Sequence, residues 1–127
     1  MSEATTRGVR VSVEPTFVPE RSDPRESTWF FAYTVTITNE GAATVQLKSR
    51  HWVITDATGH IEHVRGPGVV GQQPVLAPGQ KFEYTSACPL GTSLGSMHGT
   101  YQMVDAAGAE FEAEIAPFVL ADPDTLN

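Results

Sequence analysis

Trp29-Phe30-Phe31-Ala32-Tyr33-Thr34-Val35-Thr36-Ile37-Thr38 is the stretch on which the fold turns. Large apolar side chains stand at every second position, Trp29, Phe31, Tyr33, Val35 and Ile37, with Thr34, Thr36 and Thr38 between them. A period of two places the two sets on opposite faces of an extended strand. The β-branched and aromatic content favours that conformation. Burying five such side chains at about 1.5–3 kcal/mol each makes this strand a main support of the core. Asn39-Glu40-Gly41 then turns the chain.

Working outward, short alternating segments bounded by Gly, Pro, Asn and Asp recur, and helical periodicity is absent. Towards the N-terminus, residues 9–18 carry Val9, Val11 and Val13 on one face until Pro15 interrupts, which predicts an edge strand. Residues 19–28 are polar and predict an exposed loop. Towards the C-terminus, Val45 and Leu47 occupy odd positions while Trp52 and Ile54 occupy even ones, so a bulge is expected between Lys48 and His51. Further strands are read near residues 60–65, 81–88, 96–104 and 110–120, the last presenting Glu110, Glu112 and Glu114 as a solvated acidic face. About seven antiparallel strands with regular turn signals predict an all-β, immunoglobulin or fibronectin type III-like β-sandwich, with a closed barrel as the alternative.

The 127 residues fit one domain, residues 1–127, with an ordered core expected over about 8–120. Eight Lys plus Arg against fifteen Asp plus Glu give a net charge of −7, which disfavours nucleic acid as a partner. The charge is uneven, since seven of the eight basic residues lie at or before Arg65 and seven of the fifteen acidic ones lie after it. With 40% hydrophobic and 18% charged residues the chain has the apolar content for a packed core. No apolar run approaches the roughly 18–20 residues that span a bilayer, and Met1 to Arg7 lack a secretory core, so a cytoplasmic protein is expected. The single Cys88 excludes an internal disulfide and reads as a structural thiol.

Gly66-Pro67-Gly68-Val69-Val70-Gly71 matches G-x-G-x-x-G, but Gln72-Gln73-Pro74 follows where a dinucleotide fold needs a helix. A weaker expectation is an anion nest of backbone N–H groups at Gly66, Gly68 and Gly71. If residues 56–59 close a four-residue hairpin, Arg50 pairs with Arg65 and the two arginines flank that loop. The same register places His51 with His60 and Glu62 as potential metal ligands. On a strand, His63 points away from His60 and Glu62, and His98 faces solvent. The more ordinary reading is that the glycines shape a tight loop and that the histidines decorate a surface. No G-x-S-x-G elbow is present, and the glutamates of residues 110–114 have no apolar enclosure to raise a pKa, so an enzyme is not expected.

Over nearly its whole length the chain resembles the bacterial ApaG family. The resemblance is carried by Phe31 to Ile37, by Ser49-Arg50-His51-Trp52, by Gly66 to Gly71 with Gln72-Gln73-Pro74, by Pro78-Gly79, by Tyr84-Thr85-Ser86, by Gly95-Ser96-Met97-His98-Gly99-Thr100-Tyr101-Gln102-Met103, and by Phe118. The family often reads Ile-Pro-x-Phe and then Arg, whereas this chain reads Ile115-Ala116-Pro117-Phe118-Val119, so no basic role passes to position 119. The resemblance implies a fibronectin type III-like sandwich, an association with cobalt resistance and magnesium efflux, and a relationship to interaction domains of eukaryotic F-box and polymerase-delta-interacting proteins. It implies no catalytic residue and no cofactor. A pyrophosphate site has been suggested for its glycine stretch on motif grounds. Two expectations follow. The first is a non-catalytic module, monomer or weak dimer, that offers loops or a sheet edge to a protein partner. The second is a small-ligand protein using the glycine loop for phosphate, or the histidines for a divalent metal.

Overall fold

Alternation in the Trp29–Asn39 strand becomes a central position in the first of two sheets. The computed structural model describes residues 1–126, in which strands are β1 (Ser2–Thr6), β2 (Val9–Phe17), β3 (Trp29–Asn39), β4 (Val45–Asp56), β5 (Ile61–Pro67), β6 (Val75–Leu76), β7 (Lys81–Leu90), β8 (Leu94–Asp105) and β9 (Glu110–Ala121). One antiparallel sheet has the order β1-β2-β3-β7 and the other β5-β4-β8-β9, with β6 beside β4. The expected β-sandwich is therefore what the chain forms.

The sheets bury Phe31, Tyr33, Val35 and Ile37 of β3, Val9, Val11 and Val13 of β2, and Met97, Tyr101 and Met103 of β8. Ala113, Ile115, Phe118 and Leu120 of β9 complete the inner layer. Trp52 is its hub, meeting Tyr33 edge-on at 5.2 Å and Phe118 at 5.9 Å between ring centroids. Such tilted contacts add about 0.5–1.5 kcal/mol each to the burial of the rings. The parity change in β4 is a bulge at Lys48, because the register with β8 slips between Leu47 and Ser49.

Three sequence expectations are corrected. Strand β2 is not at the edge: β1 covers it from Thr6 opposite Val9 to Ser2 opposite Val13. Pro15 lies beyond that cover, where a missing N–H removes no ladder bond to β1. Strand β1 itself begins at Ser2, ahead of the core start expected near residue 8, and it lacks large apolar side chains because it is held by its backbone. Its turn uses Arg7 at φ 50° and Gly8 at φ 83°, and a Cβ on Gly8 would lie 2.7 Å from the Gly41 Cα. Third, the loop before β8 is shorter than expected, since Leu94 and Gly95 already pair with β9. The polar loop of residues 19–28 is exposed as expected and is pinned by Ser22, whose Oγ donates to the Val18 carbonyl and accepts the Phe30 N–H.

The two flanks of the sandwich differ. Strands β1 and β2 pack on β9, and the Glu114 N–H donates to Thr6 Oγ1 at 3.1 Å, which closes one flank. On the other, β5 and β7 are the outer strands of their sheets. A cleft opens between them.

Candidate functional site: the open flank

The cleft begins in a departure from the alternating pattern. After the Lys48 bulge, Arg50, Trp52 and Ile54 share the inward parity of β4, so a cation is carried into the space between the sheets. On β7, Phe82, Tyr84, Ser86 and Cys88 share the inward parity, which brings a hydroxyl to the same place. Tyr33, Arg50, Trp52 and Ser86 line both halves of the cleft, one of about 260 Å³ reaching Glu62 and Cys88 and one of about 390 Å³ reaching Tyr84, Val69 and Gly71.

Arg50 is half-buried, and its Nη1 donates to the carbonyls of Pro67 at 3.0 Å and Gly68 at 2.9 Å. The side-chain ion pairs among the described residues are Arg7 with Asp105 and Arg10 with Glu40, so the Arg50 charge is balanced by carbonyl dipoles and by no bonded carboxylate. A Cβ on Gly66 would lie 3.0 Å from both Arg50 terminal nitrogens; the guanidinium lies against bare backbone there. Gly68, at φ 60°, has no room for a side chain because the Gln72 carbonyl oxygen occupies its place. Val69 is buried, and Val70 with Gly71 forms a two-residue turn at φ 44° and 78°, closed by Val69 and Gln72 exchanging N–H···O bonds of 2.8 and 2.9 Å.

The nest expected at Gly66, Gly68 and Gly71 is thus changed in composition. The Gly68 N–H donates to the Lys48 carbonyl, and the Val69 and Gln72 N–H groups are used in the turn, which leaves the Val70 and Gly71 amides at the tip. Arg50 does not pair with Arg65 either. Asp56 and His60 close a three-residue turn through the Asp56 N–H, with Gly59 at φ 88° and with Asp56 Oδ1 accepting from the Thr58 N–H, the Thr58 hydroxyl and the His60 N–H. These bonds hold the Asp56 carboxyl below its usual range, the Thr58 hydroxyl most of all. The turn is one residue shorter than expected, so Arg50 lies opposite Gly66 and His51 opposite Arg65. A slip of one residue exchanges the faces of a strand. Glu62 therefore lines the cleft with Ile54, while His51 stands on the outer face, and His51, His60 and Glu62 do not come together. Among the described residues no three of His, Cys, Asp and Glu converge as metal ligands. His63 joins His51 instead, ring nitrogen to ring nitrogen at 2.9 Å. His98 is exposed, as its parity implied.

Burial sets the protonation of the cleft. It raises the pKa of Tyr33 against a hydrogen bond with Ser86, and it raises those of Tyr84 and Tyr101, whose hydroxyls bond to each other. Burial, helped by the Glu62 charge, pushes the Cys88 thiol up to about 11. At neutral pH the thiol and phenols are protonated, so these groups offer the cleft neutral donors beside the Arg50 guanidinium and the Glu62 carboxyl group. On the outer face, desolvation and then the Arg65 and His63 charges lower the pKa of His51.

Two sheets closed on one flank and opened on the other around a half-buried arginine define a β-sandwich with a polar-lined cleft between its outer strands. The chain belongs to the ApaG family: the family model described as "ApaG domain" matches residues 19–105. It is 56% identical over 124 residues to a Bradyrhizobium sp. (strain ORS 278) "Protein ApaG", covering 98% of this chain and 95% of that relative. A "Protein ApaG" of Methylobacterium sp. (strain 4-46) is 58% identical over 123 residues, covering 97% and 95%. The crystal structure of a Bordetella pertussis ApaA protein superposes with a TM-score of 0.89 at 56% identity, covering 91% of this chain and 94% of that one. The open flank, built from β3, β4, β5, β7 and the glycine loop, lies within the matched residues.

Proposed function

We propose that this chain is a non-catalytic binding module that takes an extended segment of a protein partner along its open flank. The observation that carries the reading is Arg50, a half-buried cation facing the cleft between β5 and β7 that pairs with no carboxylate among the described residues. Outer strands present unpaired backbone groups to which an extended peptide can add, and a cleft beside them gives the side-chain selectivity. A partner carboxylate entering at Arg50 would form a charge-assisted bond, stronger than its present bonds to carbonyls. Residence in the cytoplasm and a link to cobalt resistance and magnesium efflux belong to this proposal through the family resemblance; among the described residues no helix is long and apolar enough to cross a membrane.

The test is a screen of displayed extended peptides, followed by amide NMR titration of the best binder. Saturable shifts along β5, β7 and residues 66–71, with affinity reduced at least tenfold in Arg50→Met, are the expected result. Shifts confined to other surfaces, or unchanged affinity in a folded Arg50→Met, refute it. A second reading, a small anion at the same arginine, is favoured by the Val70 and Gly71 amides left at the loop tip. Titration with pyrophosphate separates the two, because saturable shifts with pyrophosphate alone assign the cleft to the small anion.

A further inference from the structure

The strands that carry Arg50 into the cleft carry a different chemistry on their outer face. His51 stands on β4 and His63 on β5, diagonal neighbours because His51 lies opposite Arg65 and His63 opposite Val53. The Nε2 of His51 and the Nδ1 of His63 are 2.9 Å apart, and the rings are stacked with centroids at 5.2 Å and an interplanar angle of 29°. One nitrogen donates to the other in this arrangement.

Two imidazole nitrogens each about 2.0–2.1 Å from one metal ion, and at a right angle about it, are about 2.9 Å apart; a tetrahedral angle spreads them to about 3.3 Å. The pair thus already has the spacing of two cis ligands in a square or tetragonal arrangement. Moving the shared proton to the far nitrogen of its own ring would leave a lone pair on both near nitrogens for the ion. Right-angle geometry with nitrogen ligands suits Cu²⁺ or Ni²⁺, whereas Mg²⁺ prefers oxygen. We propose that His51 and His63 form a two-imidazole site for a tetragonal divalent ion of the copper or nickel class on the outer face of the β5-β4-β8-β9 sheet. The remaining positions belong to water or to a small chelator. Among the charges acting on His51, that of Arg65, directly opposite it, opposes an arriving cation and that of Glu112 favours one. This site is independent of the partner-binding cleft, which lies on the other face of β4.

The experiment uses full-length protein without a histidine tag, titrated with CuCl₂ and NiCl₂ by calorimetry, with electron paramagnetic resonance of the copper form. The expected result is one site whose affinity falls at least tenfold in His51→Asn and in His63→Asn. It is unchanged in His60→Asn and rises two- to fivefold in Arg65→Gln. The copper spectrum of the unsubstituted protein should carry hyperfine structure from two imidazole nitrogens, a readout that needs no variant to fold. Affinity in the two histidine variants unchanged from that of the unsubstituted protein, a spectrum without two-nitrogen coupling, or no binding up to millimolar metal overturns the proposal.

Discussion

Gly99→Ala probes how closely strands β4 and β8 approach beside the hub tryptophan. Gly99 lies opposite Trp52 in the ladder, and an added Cβ would sit 3.1 Å from the His51 carbonyl carbon and 3.2 Å from the Trp52 Cα, with the His51 carbonyl oxygen closer still. All three atoms are backbone in the middle of a twelve-residue strand, so no side chain can swing aside. Restoring ordinary contact requires the strands to part locally by about an ångström. Overpacking of this kind costs about 1–3 kcal/mol, and weakening one or two ladder hydrogen bonds adds about 1 kcal/mol each. Loss of the glycine's unfolded-state freedom offsets about 0.4–1 kcal/mol. The expected destabilisation is about 3 kcal/mol, a fall in Tm of about 12 °C for a domain of this size. Gly91→Ala is the control, because its Cβ would meet only the Ser27 carbonyl oxygen at 3.9 Å. That change should stay within about 0.5 kcal/mol. Thermal unfolding by circular dichroism, with urea melts to give ΔG, measures both. A Gly99→Ala protein melting within about 2 °C of the Gly91→Ala protein would show that the strands part beside Trp52 without cost, contrary to this expectation.

Other changes follow from single features. Tyr101→Phe leaves the buried Tyr84 hydroxyl without its bonded partner and should cost about 1–3 kcal/mol, while the double change to Phe at both positions should cost less than the two single changes together, as a double-mutant cycle in urea would show. Val70→Asn replaces a β-branched residue at φ 44° by one that tolerates this conformation, and should stabilise the protein by about 1 kcal/mol; an unchanged melt would count against strain in the turn. Stability should also fall in alkali. The folded protein holds the Cys88 thiol and the phenols of Tyr33, Tyr84 and Tyr101 above their ordinary values of 9.0 and 10.0. The unfolded chain therefore loses those protons first, so their contribution is intact below pH 9 and declines as pH rises through 9 and then 10. A Tm that is flat between pH 8.5 and about 11 would contradict the burial of these groups.

Features written in side-chain alternation were legible before the structure. The inward face of β3, the parity switch that became the Lys48 bulge and the exposed glutamates of β9 follow from a period of two and its interruption. Features held by backbone were not. Strand β1 carries Ser2, Ala4 and Thr6 where a strand signal needs large apolar residues, and only pairing with β2 makes it a strand. The register between β4 and β5 depends on whether the turn holds three or four residues, and the Asp56 side chain together with the left-handed Gly59 decides it. That single residue moved Glu62 into the cleft and set His63 beside His51. The signals for the cleft lay in polar residues at inward parity, Arg50 beside Trp52 and Ile54, and Ser86 between Tyr84 and Cys88.

The closed flank also bears on how quickly the fold is reached. Thr6 and Glu114, joined by a hydrogen bond, are 108 positions apart in the chain. The β4–β5 hairpin can zip from its own turn, but β1 and β2 can lean on β9 only after both sheets have gathered. Pairings of such long sequence separation slow folding to about milliseconds to seconds. The edges that β1 and β9 finally shield are exposed throughout that interval, and it is then that this chain is most open to joining a second copy of itself.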